Sequence, residues 1–237
     1  VGLGENGQLW GGEAFYGGPG RWQRIAHFKP FHLVGGDRVG REPWRSAAAL
    51  CWQTQTPWAP LQALDTTGLA ASAWTQDRYR QTTTAAGRLF DAAASLILGC
   101  YHTSYEAEGA MRLEALATVV DTSGPDFALH QSVDGGWEID WTPWVRYLLD
   151  DSYSAESRAS AFHTGLARAI VEVVARVRAE HQVDLVGLTG GVFQNRVLAE
   201  QTLDGLSAAK VPAFLPTENP CNDGGLSLGQ LVEAACR

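Results

Sequence analysis

Two glycine pairs stand where a short apolar run meets a helical pattern: Gly190 and Gly191 in LTGGVFQN, and Gly224 and Gly225 in CNDGG. A glycine pair at a strand-to-helix turn removes the side chains that keep a ligand off the backbone, and the N–H groups at the helix start favour an anion. That is the geometry of a nucleotide cradle. It is also the geometry of a tight turn packed on its own sheet, and spacing does not separate the two. Beside the second pair lie Asn222 and Asp223, whose side chains can cap the following helix. A carboxylate at a glycine turn is equally a ligand for a hard cation or for iron. The histidines form no H-x-x-x-H or H-E-x-x-H pair, so the chain offers no self-sufficient catalytic metal site. No P-loop and no G-x-S-x-G elbow is present. GLGENG, from Gly2 to Gly7, matches a dinucleotide-binding fingerprint, but QLWGGEAFY follows it and is strand-like, so the required helix is missing.

The elements that must position these glycines follow from periodicity. Phe162, Leu166, Ile170, Val173, Val174 and Val177 mark one face of a long helix beginning after Ala155. A strand over 183 to 188 follows it, then a helix from about Asn195, a short strand from Val211 to Leu215 and a last helix after Gly224. This α-β-α-β-α succession favours a helix-flanked sheet. Toward the other end, residues 1 to 35 are strand-like, with an Asn6-Gly7 hairpin signal and a further strand from Trp22 to Phe28. Residues 41 to 120 are helical: REPWRSAAALCW, GRLFDAAASLILG and EGAMRLEALATVV carry Ala and Leu at helical spacing. The segment from Thr54 to Thr67 separates the first two, and Gly124 to Trp144 is expected to form a hairpin and loop. Arg41, Glu42 and Arg45 of REPWR, with Glu106 and Glu108, fit either a helix start with a surface ion pair or the lining of a cleft.

Composition narrows the partners. The chain has 237 residues, 45% of them hydrophobic, and a net charge of -8. That supports a packed core in one large domain or two small lobes. With basic residues scattered through an acidic chain, neither nucleic acid nor an acidic membrane is the expected partner. No apolar run approaches the roughly 18 to 20 residues that span a bilayer. Cys51, Cys100, Cys221 and Cys236 form no C-x-x-C pair and fit reduced thiols of the cytoplasm. The first residue is Val and no signal peptide is visible, as expected of a piece of a longer chain.

GENGQLWGGE, GGDRVGREPWR, GRLFDAAASLILG, YEAEGAMRLEALA, LTGGVFQNRVL and NDGGLSLGQ follow one another in an order that resembles the C-terminal, Kae-like carbamoyltransferase domain of the HypF family of NiFe-hydrogenase maturation proteins. The resemblance covers essentially the whole chain. It implies an α/β fold of the actin-like ATPase (ribonuclease-H-like) kind, two-lobed, partial and with a helical insertion. Residues 1–35 would be the remnant of first-lobe strands, 36–150 the helical insertion and loops, and 151–237 the second α/β lobe. The implied activity is carbamoyl transfer from carbamoyl adenylate, made upstream from ATP and carbamoyl phosphate, to the C-terminal cysteine of HypE. The product leads to the cyanide ligands of the hydrogenase iron, and the attacking thiolate comes from HypE.

By the same resemblance Gly87 and Asp91 of GRLFD face the ribose, where a carboxylate can accept hydroxyl hydrogen bonds. Asp91 could otherwise be a simple helix-face carboxylate. Gly190, Gly191 and Asn195 match the second nucleotide segment. Asp223 matches a ligand to a divalent metal, iron or zinc, with magnesium accompanying ATP. The family's histidine pair lies upstream of Val1, and the aspartate that begins its first glycine loop has no counterpart in VGLG. The chain by itself is therefore expected to hold metal poorly and to be inactive in transfer. TTTAAG before Gly87, and Ala107 where a glycine is usual, also depart from the pattern. Two other readings stay open: an O-carbamoyltransferase acting on a small-molecule hydroxyl, and a non-catalytic nucleotide-binding module. REPWR and GRLFD together with GGVFQN favour the hydrogenase branch.

Overall fold

In the computed structural model, residues 2–118, 123–133 and 135–236 are described. The chain opens on the expected hairpin: β1 (Gly2–Leu3) pairs antiparallel with β2 (Leu9–Trp10). The turn works because Gly7 takes φ 75° and Asn6 Oδ1 accepts the Gln8 N–H at 3.1 Å. β3 (Glu13–Tyr16) and β4 (Gln23–Phe28) form a second antiparallel pair, and β5 (Phe31–Leu33) leads to a 3-10 turn over Gly36–Gly40. Then come α1 (Trp44–Gln53), α2 (Leu61–Leu64), α3 (Leu69–Thr75), β6 (Gln81–Thr83), α4 (Ala86–Leu98) and α5 (Glu108–Leu116). α1 packs along α4. The contact buries Ala47, Ala48 and Ala49 of one and Ala92, Ala93 and Ala94 of the other, small side chains that let two backbones approach closely.

The wholly helical expectation for 41 to 120 fails at β6. Three residues are too few to carry a period of their own, and Gln81–Thr83 becomes a strand because β2 and β5 flank it on either side. The hairpin expected over Gly124 to Trp144 is present as β7 (Ala128–Gln131) and β8 (Trp137–Asp140), and β8 pairs parallel with β4. The two four-stranded sheets run β1-β2-β6-β5 and β3-β4-β8-β7. The expected division at residues 35 and 150 therefore does not follow the sheets. Residues 1–35 and 36–150 share both, since each early hairpin is completed by strands from the middle of the chain, where only tertiary pairing satisfies its edge.

α6 (Thr142–Leu148) and α7 (Ala155–Glu180) follow, the latter capped by Ser154 Oγ on the Ser157 N–H at 3.1 Å. The predicted stripe holds: Phe162, Leu166, Val173 and Val177 are buried. Ile170 packs against both this core and a second cluster built on Leu188, Leu206 and Val211, and Val174 against the second. Phe90, Phe127, Trp144 and Phe162 interlock as the aromatic centre, with Phe127 stacked on Trp144 at 4.8 Å between centroids. The last elements are β9 (Val186–Gly187), α8 (Arg196–Ala208), β10 (Ala213–Phe214) and α9 (Leu226–Ala235), with β9 parallel to β10. The strand expected over 183 to 188 is pared to two residues, which pair with β10 alone among the described residues. No helix of the described residues is long and apolar enough to cross a membrane.

Candidate nucleotide site

β9 and β10 point the same way, so the loops leaving their C-terminal ends emerge side by side. Those loops carry the two glycine turns. Gly190 sits at φ 102°, a conformation that side chains resist, and its N–H donates to the Cys221 carbonyl at 2.5 Å. The Thr189 hydroxyl reaches the same carbonyl at 3.4 Å. A Cβ at Gly190 would meet nothing, and one at Gly191 only Gln194 Oε1 at 3.9 Å. The bareness of this turn is thus not required by packing, and the backbone faces open space. The 3-10 turn that follows, Gly191–Gln194, packs against α4, the helix that carries the GRLFD segment.

Gly87 lies in the first turn of α4, and a Cβ there would also meet open space. Asp91, four residues on, shares its face, and helical side chains lean toward the N-terminus, so the carboxylate lies toward the bare position. Asp91 is 6% exposed, and burial pushes its carboxyl up to about 6 against the opposing pull of the Arg88 guanidinium. Oδ2 is ion-paired with Arg88 Nη1 at 2.7 Å, a contact that lacks hydrogen-bond alignment. A buried carboxylate oxygen held by an ion pair alone can still accept from a ligand hydroxyl.

The helix ends differ. No side chain caps α4 and no acidic residue lies in its first turn. Its entry is held by the Ala86 N–H on the Gly11 carbonyl at 3.0 Å and by Glu13, a residue sequence reasoning passed over inside WGGE. Glu13 Oε2 accepts the N–H groups of Gly11 and Gly12 at 2.6 and 2.7 Å, while Oε1 accepts from the Thr84 hydroxyl and from Arg24. One buried carboxylate thereby ties the WGGE turn to the start of α4.

At α8 the expectation of N–H groups open to an anion is corrected. Asn195 Oδ1 accepts the Leu198 N–H at 2.9 Å, and Glu114 of α5 accepts the Arg196 N–H at 2.7 Å. Asn195 itself is 8% exposed, and its Nδ2 donates at 2.8 Å to His163 Nε2, whose Nδ1–H in turn reaches the Ala159 carbonyl at 2.8 Å. Burial holds the His163 pKa below its ordinary value, so the neutral ring that can accept from Asn195 is favoured. Asn195 is therefore occupied as a helix cap and a histidine partner rather than presented to a ligand. Glu114 lies unremarked inside YEAEGAMRLEALA, and His163 stands in no motif.

Asp223 lies exposed in the turn Asp223–Gly225, where Asn222 Oδ1, not Asp223, accepts the Gly224 N–H at 3.0 Å. Among the described residues no group of three or more His, Cys, Asp and Glu side chains converges on a point that could hold a metal ion. One exposed carboxylate falls short of a coordination sphere of four to eight donors. The residues present thus do not fit a resident metal by themselves, and no chemistry is derived through one. Glu108 meets the Ser104 N–H at 2.8 Å, while Glu42 pairs with Arg45 at the start of α1.

Mixed sheets packed with helices, and parallel strands that deliver two glycine turns, define an α/β protein of the actin-like ATPase class. The family model described as carbamoyltransferase, Kae1-like domain, second subdomain, matches residues 1–230. The chain is 37% identical to carbamoyltransferase HypF of Rhodobacter capsulatus, covering all of this chain and 31% of that one. It is 34% identical to a HypF homolog of Cupriavidus necator, covering 99% of this chain and 63% of that one. A crystal structure of full-length HypF in a phosphate- and nucleotide-bound form superposes with a TM-score of 0.88 at 25% identity, over 98% of this chain and 31% of the other. The chain belongs to the HypF carbamoyltransferase family. It spans from about a third to under two thirds of the length of these relatives.

Proposed function

We propose that this chain forms the nucleotide-holding lobe of a carbamoyltransferase that passes a carbamoyl group from carbamoyl adenylate to the C-terminal cysteine of HypE, in the cytoplasm. The adenylate is made elsewhere in the full-length enzyme from ATP and carbamoyl phosphate. The observation that carries this reading is the packing of the 3-10 turn Gly191–Gln194 on α4, the helix that bears the bare Gly87 and the buried Asp91. Asp91 accepts ribose hydroxyls and the bare backbone of the turn approaches the phosphate. Asn195 holds the turn rather than the ligand, and the residues from 151 onward act as one lobe of the cleft. In the transfer, the deprotonated HypE sulfur attacks the carbamoyl carbon, the carbon–oxygen bond to the adenylate phosphate breaks, and AMP leaves with the electron pair. The contribution of this chain is to orient the adenylate, and orientation alone supplies a large part of the barrier reduction in such transfers. Asp223, one candidate metal ligand, completes a site only with donors from elsewhere in the enzyme.

Calorimetric titration of ATP into the chain tests the reading, with Asp91→Ala and Gly191→Val as variants. Binding that each variant weakens by more than about tenfold, roughly 1.4 kcal/mol, supports it. Binding of the parent that neither variant changes places the nucleotide elsewhere and overturns it.

A further inference from the structure

A cavity of about 510 Å³ opens between the turn after β5, the start of α1 and the α2–α3 segment, and it shares no lining residue with the glycine turns. Its volume is that of a small-ligand pocket. Arg45 is built into its wall with unusual care. The side chain is 11% exposed, its Nε meets Glu42 Oε2 at 2.5 Å, and its guanidinium lies 4.4 Å over the Trp44 ring. Gly35, at φ 130°, makes this possible, since a Cβ there would lie 2.6 Å from Arg45 Cδ. The guanidinium is therefore held before any ligand arrives, with Nη1 reaching only the distant Val34 carbonyl at 3.5 Å.

The polar groups around it sort by what they have left to offer. Glu42 is engaged by Arg45. Asp65 is engaged by the N–H groups of Ala70 and Ala71, at 3.2 and 2.8 Å, where it caps α3. Arg38 makes no ion pair among the described residues, so the charged group left open in the lining is a cation. The rest of the wall mixes hydrocarbon from Leu64, Leu69 and Ala73 with the polar side chains of Thr66, Thr67 and His102. Tyr79 stands at the rim, 87% exposed and held at φ 58°, a conformation that a bulky residue adopts only when its surroundings impose it.

We propose that this cavity binds a small monocarboxylate with an apolar body, its carboxylate on Arg45 and Arg38 and its hydrocarbon against α2 and α3. A fixed planar guanidinium suits a carboxylate. A dianion such as phosphate is disfavoured, because Glu42 and Asp65 already balance the two arginines and would repel the second charge. The proposal is independent of the nucleotide reading.

The test titrates 4-methylpentanoate, its carboxamide and inorganic phosphate into the full chain, following the tryptophan indole resonances by NMR. The carboxylate is expected to bind about tenfold or more tightly than either other probe, consistent with one charge-assisted contact. Arg45→Met removes that preference, Arg38→Met at its exposed position weakens it without threatening the fold, and Gly191→Val leaves it intact. Equal binding of acid and amide, tighter binding of phosphate, or unchanged carboxylate binding in both arginine variants overturns the proposal.

Discussion

At the scale of the residue, Asp91 is the group whose environment and proposed task conflict. Burial raises its carboxyl from 3.8 to about 6. A shift of that size corresponds to destabilisation on the order of 3 kcal/mol at neutral pH. Between about pH 4 and pH 6 the folded chain holds this proton and the unfolded chain does not, so this group's contribution falls as pH rises through that window. Asp91→Asn is expected to be more stable than the parent at pH 7, with the difference vanishing toward pH 4, while nucleotide affinity drops; urea titrations at several pH values read the first and calorimetry the second. His163 has the opposite sign, because a depressed histidine favours the fold when neutral and that contribution is lost on acidification, so the comparison with the variant isolates Asp91. Asn195→Ala removes a cap and leaves His163 Nε2 buried without a donor. The expected loss is about 2 to 3 kcal/mol, visible as a lower unfolding midpoint.

At the scale of the element, the glycine and alanine at the entrances of α4 and α5 make contrasting predictions. Gly87 is helical with open space at its Cβ, so Gly87→Ala should stabilise the chain by about 0.5 to 1 kcal/mol on helix propensity alone. If the nucleotide occupies that space, affinity falls while thermal stability rises. A substitution that changes neither property places the ligand away from α4. Ala107, the residue standing where the family resemblance implies glycine, enters α5 at φ 61°. A left-handed alanine is strained by about 1 kcal/mol, so Ala107→Gly should raise the unfolding midpoint by a few degrees, with differential scanning calorimetry as the check.

At the scale of the molecule, cohesion is uneven. The main core joins β4, β5, α1, α4, α6 and α7 through buried aromatics and alanines, whereas α9 has no buried residue and exposes Leu226, Leu228, Leu231 and Val232. What anchors α9 is Glu233, which accepts the Gly20 N–H at 2.8 Å and the Trp22 indole N–H at 2.6 Å. Exposed hydrogen bonds of this kind contribute about 1 kcal/mol each, too little to make α9 part of the global unfolding unit. Glu233→Ala should therefore speed amide exchange in α9 and shift the Trp22 indole resonance, leaving exchange in α4 and α7 unchanged.

The sequence by itself determined the long-range pattern: the amphipathic α7, the alternation after residue 155, the Asn6-Gly7 hairpin and the glycine turns are all legible, because each depends on period or on backbone conformation within a few residues. The family was legible as well, through the order of six short blocks. The partners of those segments were not. β6 is a strand only because β2 and β5 flank it, and β8 joins the early hairpin across more than a hundred residues. The tertiary structure alone decided that Glu13 fastens the entry of α4, that Glu114 and Asn195 occupy the start of α8, and that Asp91 is buried. Whether a polar group is spent or available depends on neighbours remote in the chain, and no local pattern records them.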